Sequence, residues 1–167
     1  MDRLFEGDPA PTDCFEELVS IRSDNPIGSS GKKRLVPWLR SSNGKNYLVV
    51  LCDPRPKSPA LRAAVASVLS SIPLKIKENF VVVNADSPAE NRRWMKKSSI
   101  PDSLKVFSDE KLTWMRELTA LGSDRWSMTV FVLAEGKVQK LAREVDQYGA
   151  TNTIVNAVAA FKKETRL

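Results

Sequence analysis

Histidine is absent from this chain of 167 residues, and cysteine occurs only twice, as Cys14 and Cys52. Without histidine there is no imidazole general base, no histidine metal ligand and no Ser-His catalytic pair. The two cysteines form neither a C-x-x-C motif nor a metal-binding spacing, which argues against a disulfide scaffold and against a cysteine metal site. We therefore predict that the protein holds no metal and no cofactor.

Long apolar runs are also missing, and none approaches the roughly 20 residues that a bilayer-spanning helix needs. The opening residues 1–13 are acidic and have no apolar core, which is unlike a signal peptide or a typical transit peptide. We expect a soluble protein of the cytoplasm or, if the numbering begins after processing, of an organelle matrix. Its 42% hydrophobic and 28% charged residues are typical of one globular domain.

Basic residues exceed acidic ones, giving a formal net charge of +6. Such an excess permits an acidic partner such as RNA. The charge is spread along the chain rather than concentrated in one run, which makes nucleic-acid binding the less favoured interpretation.

The most informative stretch is residues 47–63, where an apolar run leads through a short loop into an alanine-rich segment. Asn46–Asp53 is apolar without alternation, which predicts a buried parallel strand. Ser58 is a good helix N-cap, and Pro59 suits the first helical position. Such a strand-loop-helix junction favours an anion at the helix N-terminus, because free N–H groups and the helix dipole point there.

The rest of the chain predicts alternating strands and helices in the order β-α-β-α-β-α-β-β-α, which is that of a thioredoxin-like domain. Residues 1–45 are turn-rich, and we expect them to pack on a thioredoxin-like domain spanning 46–167, with one domain overall. The later predicted strands are 80–83, 104–107, 129–133 and 137–143, and the later helices are capped by Ser87 with Glu90 in a capping box, by Ser108, and by Thr151 or Thr153.

Four further segments resemble peroxiredoxins, in an order and spacing that cover almost the whole chain. GDPAP at 7–11 resembles the opening motif of the family. NADSP at 84–88 and FSD at 107–109 resemble two motifs of the Q-type branch, and RWSM at 125–128 resembles the arginine-aromatic-Ser-Met strand of the type-five branch. The resemblance implies an α/β fold of thioredoxin-like, peroxiredoxin type, with three layers around a central mixed sheet.

The peroxiredoxin active site has the pattern P-x-x-x-T/S-x-x-C together with a distant arginine. The cysteine thiolate attacks peroxide, while the hydroxyl, the helix N-terminus and the arginine activate it. By this resemblance Pro54 matches the proline, Ser58 the hydroxyl and Arg125 the arginine. Leu61 occupies the cysteine position and carries no nucleophile, so the resemblance implies a degenerate active site.

Each of these residues also has a simpler interpretation. Cys52 suits a small buried core residue, and Cys14 an inert thiol. Ser58 is explained by helix capping alone. Arg125 suits an ordinary surface or ion-pair arginine.

The leading hypothesis is a catalytically inactive peroxiredoxin-like protein that acts as a structural or binding subunit of a larger assembly. Protein partners are expected, a ribonucleoprotein would suit the charge, and a homodimer stays open because peroxiredoxins often dimerise. The alternative is a thiol-dependent peroxidase or redox sensor that uses Cys52 or Cys14. One candidate contact surface is a basic face formed by Arg92, Arg93, Lys96 and Lys97. The tryptophans Trp38 and Trp94 are further candidates, although both suit the core equally well.

Overall fold

A computed structural model describes residues 5–9, 19–21, 47–72, 80–102, 104–117, 127–134 and 136–165. Within these ranges it contains six strands and four helices. The strands are β1 (Val19–Ile21), β2 (Tyr47–Asp53), β3 (Phe80–Asn84), β4 (Lys105–Ser108), β5 (Met128–Ala134) and β6 (Lys137–Val145). The helices are α1 (Pro59–Ser71), α2 (Pro88–Lys97), α3 (Thr113–Glu117) and α4 (Gln147–Thr165).

The strands form one mixed sheet in the order β1-β4-β3-β2-β5-β6. Strands β2, β3 and β4 are parallel, whereas β5 pairs antiparallel with β2 and β6 antiparallel with β5. The two most apolar strands pair with each other, since Val50 of β2 lies opposite Phe131 of β5. The element order predicted from residue 46 onward is confirmed.

Both faces of the sheet are covered, which explains why β2 is apolar without alternation. Val49 and Leu51 pack into one cluster with the apolar sides of α1, α2 and α4. Leu48 and Val50 face the opposite cluster, to which α3 contributes Trp114. A strand that is buried on both faces is apolar at every position. The three layers predicted from the sequence are therefore present.

The two parallel crossovers place α1 and α2 side by side. Strands β2, β3 and β4 are adjacent and follow one another in a single direction across the sheet. Right-handed crossovers taken in one direction put both connecting helices on the same face. Their buried residues belong to one cluster, as this rule requires.

The predicted helix starts at Ser58 and Ser87 are confirmed. The Ser58 hydroxyl accepts a hydrogen bond from the Leu61 N–H, and the Ser87 hydroxyl accepts one from the Glu90 N–H. Each helix has proline at its first position, where no N–H is needed. The Glu90 carboxylate contacts arginines rather than completing a reciprocal capping box.

The predictions for the caps of α3 and α4 were wrong. Ser108 lies in β4, and its hydroxyl donates to the Asp86 carbonyl; the carboxylate of Asp109 accepts the N–H groups of α3 instead. Helix α4 begins at Gln147, four and six residues before the two threonines proposed as caps. Thr151 and Thr153 donate to carbonyls four residues earlier, as helix-interior threonines do.

The turn-rich interpretation of residues 1–45 missed β1, which pairs antiparallel with β4. Residues 5–9 lie along β6, where the Gly7 N–H donates to the Val138 carbonyl and the Val138 N–H to the Asp8 carbonyl. Gly7 has a φ of +94°, a conformation that favours glycine. Among the described helices, none has the length and apolarity to cross a bilayer.

Candidate functional site

The candidate site lies at the carboxyl ends of the parallel strands, next to the N-terminus of α1. In open α/β sheets this edge is where ligands bind, because strand ends and helix N-termini meet there. Three polar residues end the parallel strands and are buried: Asp53 in β2, Asn84 in β3 and Ser108 in β4.

Asp53 organises the loop that joins β2 to α1. Its side chain is 0% exposed, and Oδ2 accepts a 2.6 Å hydrogen bond from the Ser58 hydroxyl. Arg55 makes a two-pronged contact, from Nε to Oδ1 at 2.9 Å and from Nη2 to Oδ2 at 2.7 Å. This contact raises the pKa of Arg55. The chain therefore supplies its own anion at the start of α1.

Asp86, in the loop after β3, fastens the same turn from the other side. Its Oδ1 accepts the Lys57 N–H at 2.6 Å, and its Oδ2 accepts from Arg62 Nη2 at 3.3 Å. Lys57 has a φ of +52°, in the left-handed region that costs non-glycine residues free energy. The bond to Asp86 thus helps to hold Lys57 in an unfavourable conformation.

A buried amide network supports Asp86. Asn84 and Asn91 exchange two side-chain hydrogen bonds of 2.7 and 2.8 Å, and Asn91 Nδ2 also donates to the Ser108 hydroxyl at 2.9 Å. That hydroxyl donates to the Asp86 carbonyl. All four residues are buried, so the network fixes the loop against α2.

Leu61 stands at the third position of α1, and its side chain is 1% exposed within the core cluster. Pro54 is buried at the start of the loop. Pro54, Ser58 and Leu61 thus all lie in the junction between β2 and α1, where Ser58 caps the turn that carries Leu61. Arg125, the fourth member of the predicted outline, lies outside the described residues, so its position stays a prediction.

Cys52 is 0% exposed and points to the sheet face opposite α1. Its thiol donates a long, 3.6 Å hydrogen bond to the Thr129 carbonyl. Burial raises the pKa of this thiol far above its ordinary value, and the charges of Asp53 and Asp109 raise it further. The predicted burial of Cys52 is confirmed. Cys14 lies outside the described residues.

The basic face predicted on α2 is partly exposed. Lys96 and Lys97 are exposed, and Arg93 is exposed and pairs with Glu90, whereas Arg92 is half-buried. Trp94 is 5% exposed and belongs to the core, so of its two interpretations the core position is the one observed. Trp38 lies outside the described residues.

A cleft of about 290 Å³ opens between α1 and α2. Within the described ranges, no group of three or more cysteines, aspartates or glutamates is arranged to hold a metal ion.

Comparison of the sequence alone finds no matching family model and no matching curated protein. Solved structures nevertheless share the fold over nearly the whole chain. A cysteine-to-serine variant of peroxiredoxin Q from Xanthomonas campestris is 16% identical, with a TM-score of 0.68 over 93% of this chain and 97% of its own. A corresponding variant from Xylella fastidiosa is 14% identical, with a TM-score of 0.70 over 96% and 98%.

Peroxiredoxin 5 from Alvinella pompejana is also similar, at 14% identity and a TM-score of 0.62 over 94% of this chain and 99% of its own. At these identities the likeness establishes the fold. The chain therefore has the thioredoxin-like fold of peroxiredoxins, as the sequence motifs predicted.

Sequence reasoning missed Asp53 and Asp86 as organising residues. The apolar run predicts Asp53 only as the end of a strand, although an aspartate directly before proline favours a side-chain-capped turn. Asp86 was noted only within a matching motif. In both cases the available signal was an acidic residue at the carboxyl end of an apolar strand.

Proposed function

We propose that this protein is a catalytically inactive relative of peroxiredoxins that acts as a structural or binding subunit. The observation that carries the proposal is the first turn of α1, where the buried side chain of Leu61 stands beside a hydroxyl already bonded to Asp53. Peroxide reduction needs a thiolate about 3–3.5 Å from the peroxide oxygen. A leucine side chain offers only carbon at that place.

Cys52 is a poor substitute for the missing thiol. It lies inside β2, hydrogen-bonded strands flank it on both sides, and its thiol stays protonated because burial raises its pKa. A protonated thiol is neither a nucleophile for peroxide nor a responsive redox sensor. This leaves Cys14 as the thiol on which the peroxidase or sensor alternative rests.

The test is peroxide consumption by the purified full chain, with thioredoxin, glutathione or dithiothreitol as reductant. We expect no turnover above that of buffer with reductant. Turnover that disappears in Cys14→Ser or Cys52→Ser would establish the thiol peroxidase alternative instead.

The binding role needs its own measurement. Native affinity purification identifies chains that co-purify, and reconstitution with each purified chain then tests direct binding. A stable stoichiometric complex supports the proposed role as a subunit. If every co-purifying chain fails to bind in reconstitution and the protein stays monomeric, the subunit role is wrong.

A further inference from the structure

We propose that the cleft between α1 and α2 binds an acidic peptide segment of a partner protein. The proposal rests on the proposed function, because it gives a binding subunit the surface and the partner chemistry that it needs. The walls of the cleft come from both helices and from the turn after α2: Arg62, Ala66, Glu90, Arg93, Trp94, Lys97, Ser98 and Ile100.

The cleft carries more positive than negative charge. Arg62, Arg93 and Lys97 line it, with one carboxylate, that of Glu90, among them. Arg62 Nη2 lies 3.4 Å from Glu90 Oε1, and Arg93 Nη1 contacts Glu90 Oε2. Within the described part of the chain, no carboxylate lies within ion-pair distance of Lys97. Asp86 also pairs with Arg62, so two carboxylates balance two of the three cations and one positive charge remains unbalanced.

The Arg62 guanidinium is held in place before any ligand arrives. Its Cζ lies 5.5 Å from the centroid of the Trp94 ring, and Asp86 and Glu90 both contact its Nη2. Its Nε is buried and donates to no protein atom. The Arg62 side chain is 27% exposed, so an incoming carboxylate can reach only the N–H groups on the exposed edge of the guanidinium, which the ring and the two carboxylates hold in a fixed orientation.

The Glu90 contacts show which anion these arginines accept. Both oxygens of one carboxylate are shared between Arg62 and Arg93, so the spacing of the two guanidinium groups already fits a carboxylate. Arg93 is 71% exposed, which leaves most of its donors accessible to a second carboxylate. Ala66 and Ile100 add apolar surface on which the methylene groups of an acidic side chain can pack.

Three features favour a peptide over a nucleic acid. Single-stranded nucleic acids need exposed aromatic rings on which bases stack, and Trp94 is buried beneath Arg62. The Glu90 carboxylate repels any anion placed beside it; phosphates recur at every nucleotide, whereas the glutamates of a peptide can be separated by neutral residues that lie next to Glu90. The volume, about 290 Å³, admits a few side chains rather than a nucleotide strand.

The test is fluorescence anisotropy of a fluorescein-labelled peptide of ten residues in which glutamate alternates with leucine and serine. It is titrated with the full chain, with the double charge reversal Arg93→Glu/Lys97→Glu, and with the matched control Lys111→Glu/Lys137→Glu. All four positions are exposed, so folding should survive, and far-ultraviolet circular dichroism checks this. Both variants lower the net charge by the same amount.

We expect the cleft variant to weaken peptide binding by at least about tenfold, and the control variant by less than about twofold. Equal weakening by both variants would assign binding to diffuse charge and overturn the proposal. Wild-type affinity weaker than about 1 mM would also overturn it. Tighter binding of an oligouridylate of equal charge would replace the acidic peptide with nucleic acid as the ligand.

Failure of this proposal is distinguishable from failure of the proposed function. Peroxide turnover is measured on the same wild-type preparation and does not depend on the cleft residues. If neither turnover nor peptide binding is observed, the cleft proposal is wrong and the inactive-subunit proposal is unaffected. If both turnover and peptide binding are observed, the proposal of inactivity is wrong and the cleft proposal is supported.

Discussion

The Ser58 hydroxyl donates a 2.6 Å hydrogen bond to Oδ2 of Asp53, whose carboxylate is fully buried at the end of β2. The same hydroxyl accepts the Leu61 N–H at 3.2 Å. One side chain therefore caps α1 and satisfies a buried acid. Because both of its hydrogen bonds are made within the protein, a structural role is enough to explain the Ser58 hydroxyl.

Replacement of Ser58 by alanine should destabilise the protein by about 2.5–4 kcal/mol. The change removes an N-cap, which costs about 1 kcal/mol, and a hydrogen bond to a charged group, which costs about 1.5–3 kcal/mol. Urea denaturation measures the loss. The control is Ser70→Ala, because Ser70 is exposed in the same helix and bonds only to nearby helix carbonyls. A Ser58→Ala variant within about 0.5 kcal/mol of wild type would contradict the dual role.

Cys52 should make stability depend on pH above neutrality. Its pKa is raised in the folded state, so the unfolded chain loses the proton first, near its ordinary pKa of about 8.5. Stability from this group is fully present below about pH 8.5 and should fall by about 1.4 kcal/mol per pH unit above it.

The measurement is urea denaturation at several pH values from about 8 to 10, compared with Cys52→Ser. Serine does not titrate in this range, and its hydroxyl can donate to the Thr129 carbonyl as the thiol does. The wild-type curve should fall more steeply than the variant curve. Parallel curves, or rapid alkylation of Cys52 in the native Cys14→Ser protein, would show that the thiol is accessible.

Asn91→Asp should lower the free energy of unfolding by about 2–4 kcal/mol, although it only replaces the side-chain NH2 group by an oxygen and hardly changes the volume. Asn91 Nδ2 donates to both Asn84 Oδ1 and the Ser108 hydroxyl, and an aspartate oxygen cannot donate when ionised. Thermal unfolding at pH 7 measures the effect, with the exposed Asn156→Asp as control. Because a buried aspartate gains a proton more readily, the loss should shrink as pH falls toward 4. A pH-independent loss equal to that of the control would rule out the network.

The sequence predicted the parts of the fold that local chemistry determines. The apolar run of β2 and the serine-proline starts of α1 and α2 carry strong local signals, and both serine caps were found. The three-residue strand β1 carried no such signal, since its place depends on pairing with β4 across the sheet. The local pattern predicts a cap at Ser108 because serine often caps helices, yet its hydroxyl accepts from Asn91 Nδ2 and donates to the Asp86 carbonyl.

The sequence predicted the strand-helix junction between β2 and α1, but not the interactions within it. Pro54, Ser58 and Leu61 are near in sequence, so their place in the strand-helix junction follows from the order of the elements. The contact between Asp86 and Lys57 joins residues 29 positions apart, and the cleft depends on how α1 packs against α2. Such long-range contacts arise from tertiary packing, which local patterns do not specify.

The most direct test of the degenerate site is to restore a thiol with Leu61→Cys. The new sulfur would stand at the start of α1, where the helix N-terminus favours a thiolate. The Ser58 hydroxyl is bonded to the Asp53 carboxylate, however, and a nearby negative charge disfavours a second anion. We therefore expect Leu61→Cys alone to react slowly with peroxide, and Leu61→Cys/Asp53→Asn to react about tenfold faster with a lower thiol pKa.

The measurement is loss of the new thiol against peroxide concentration, in a Cys14→Ser/Cys52→Ser background so that only one thiol reports. Ultraviolet absorbance of the thiolate across pH gives its pKa, and urea denaturation confirms that both variants remain folded, because Leu61 is a core residue. If Leu61→Cys alone reacts rapidly with a thiol pKa well below about 8.5, Asp53 does not block the site, and Ser58 and Arg125 retain an active peroxiredoxin arrangement. If neither variant reacts although both are folded, the first turn of α1 does not correspond to a peroxidatic site.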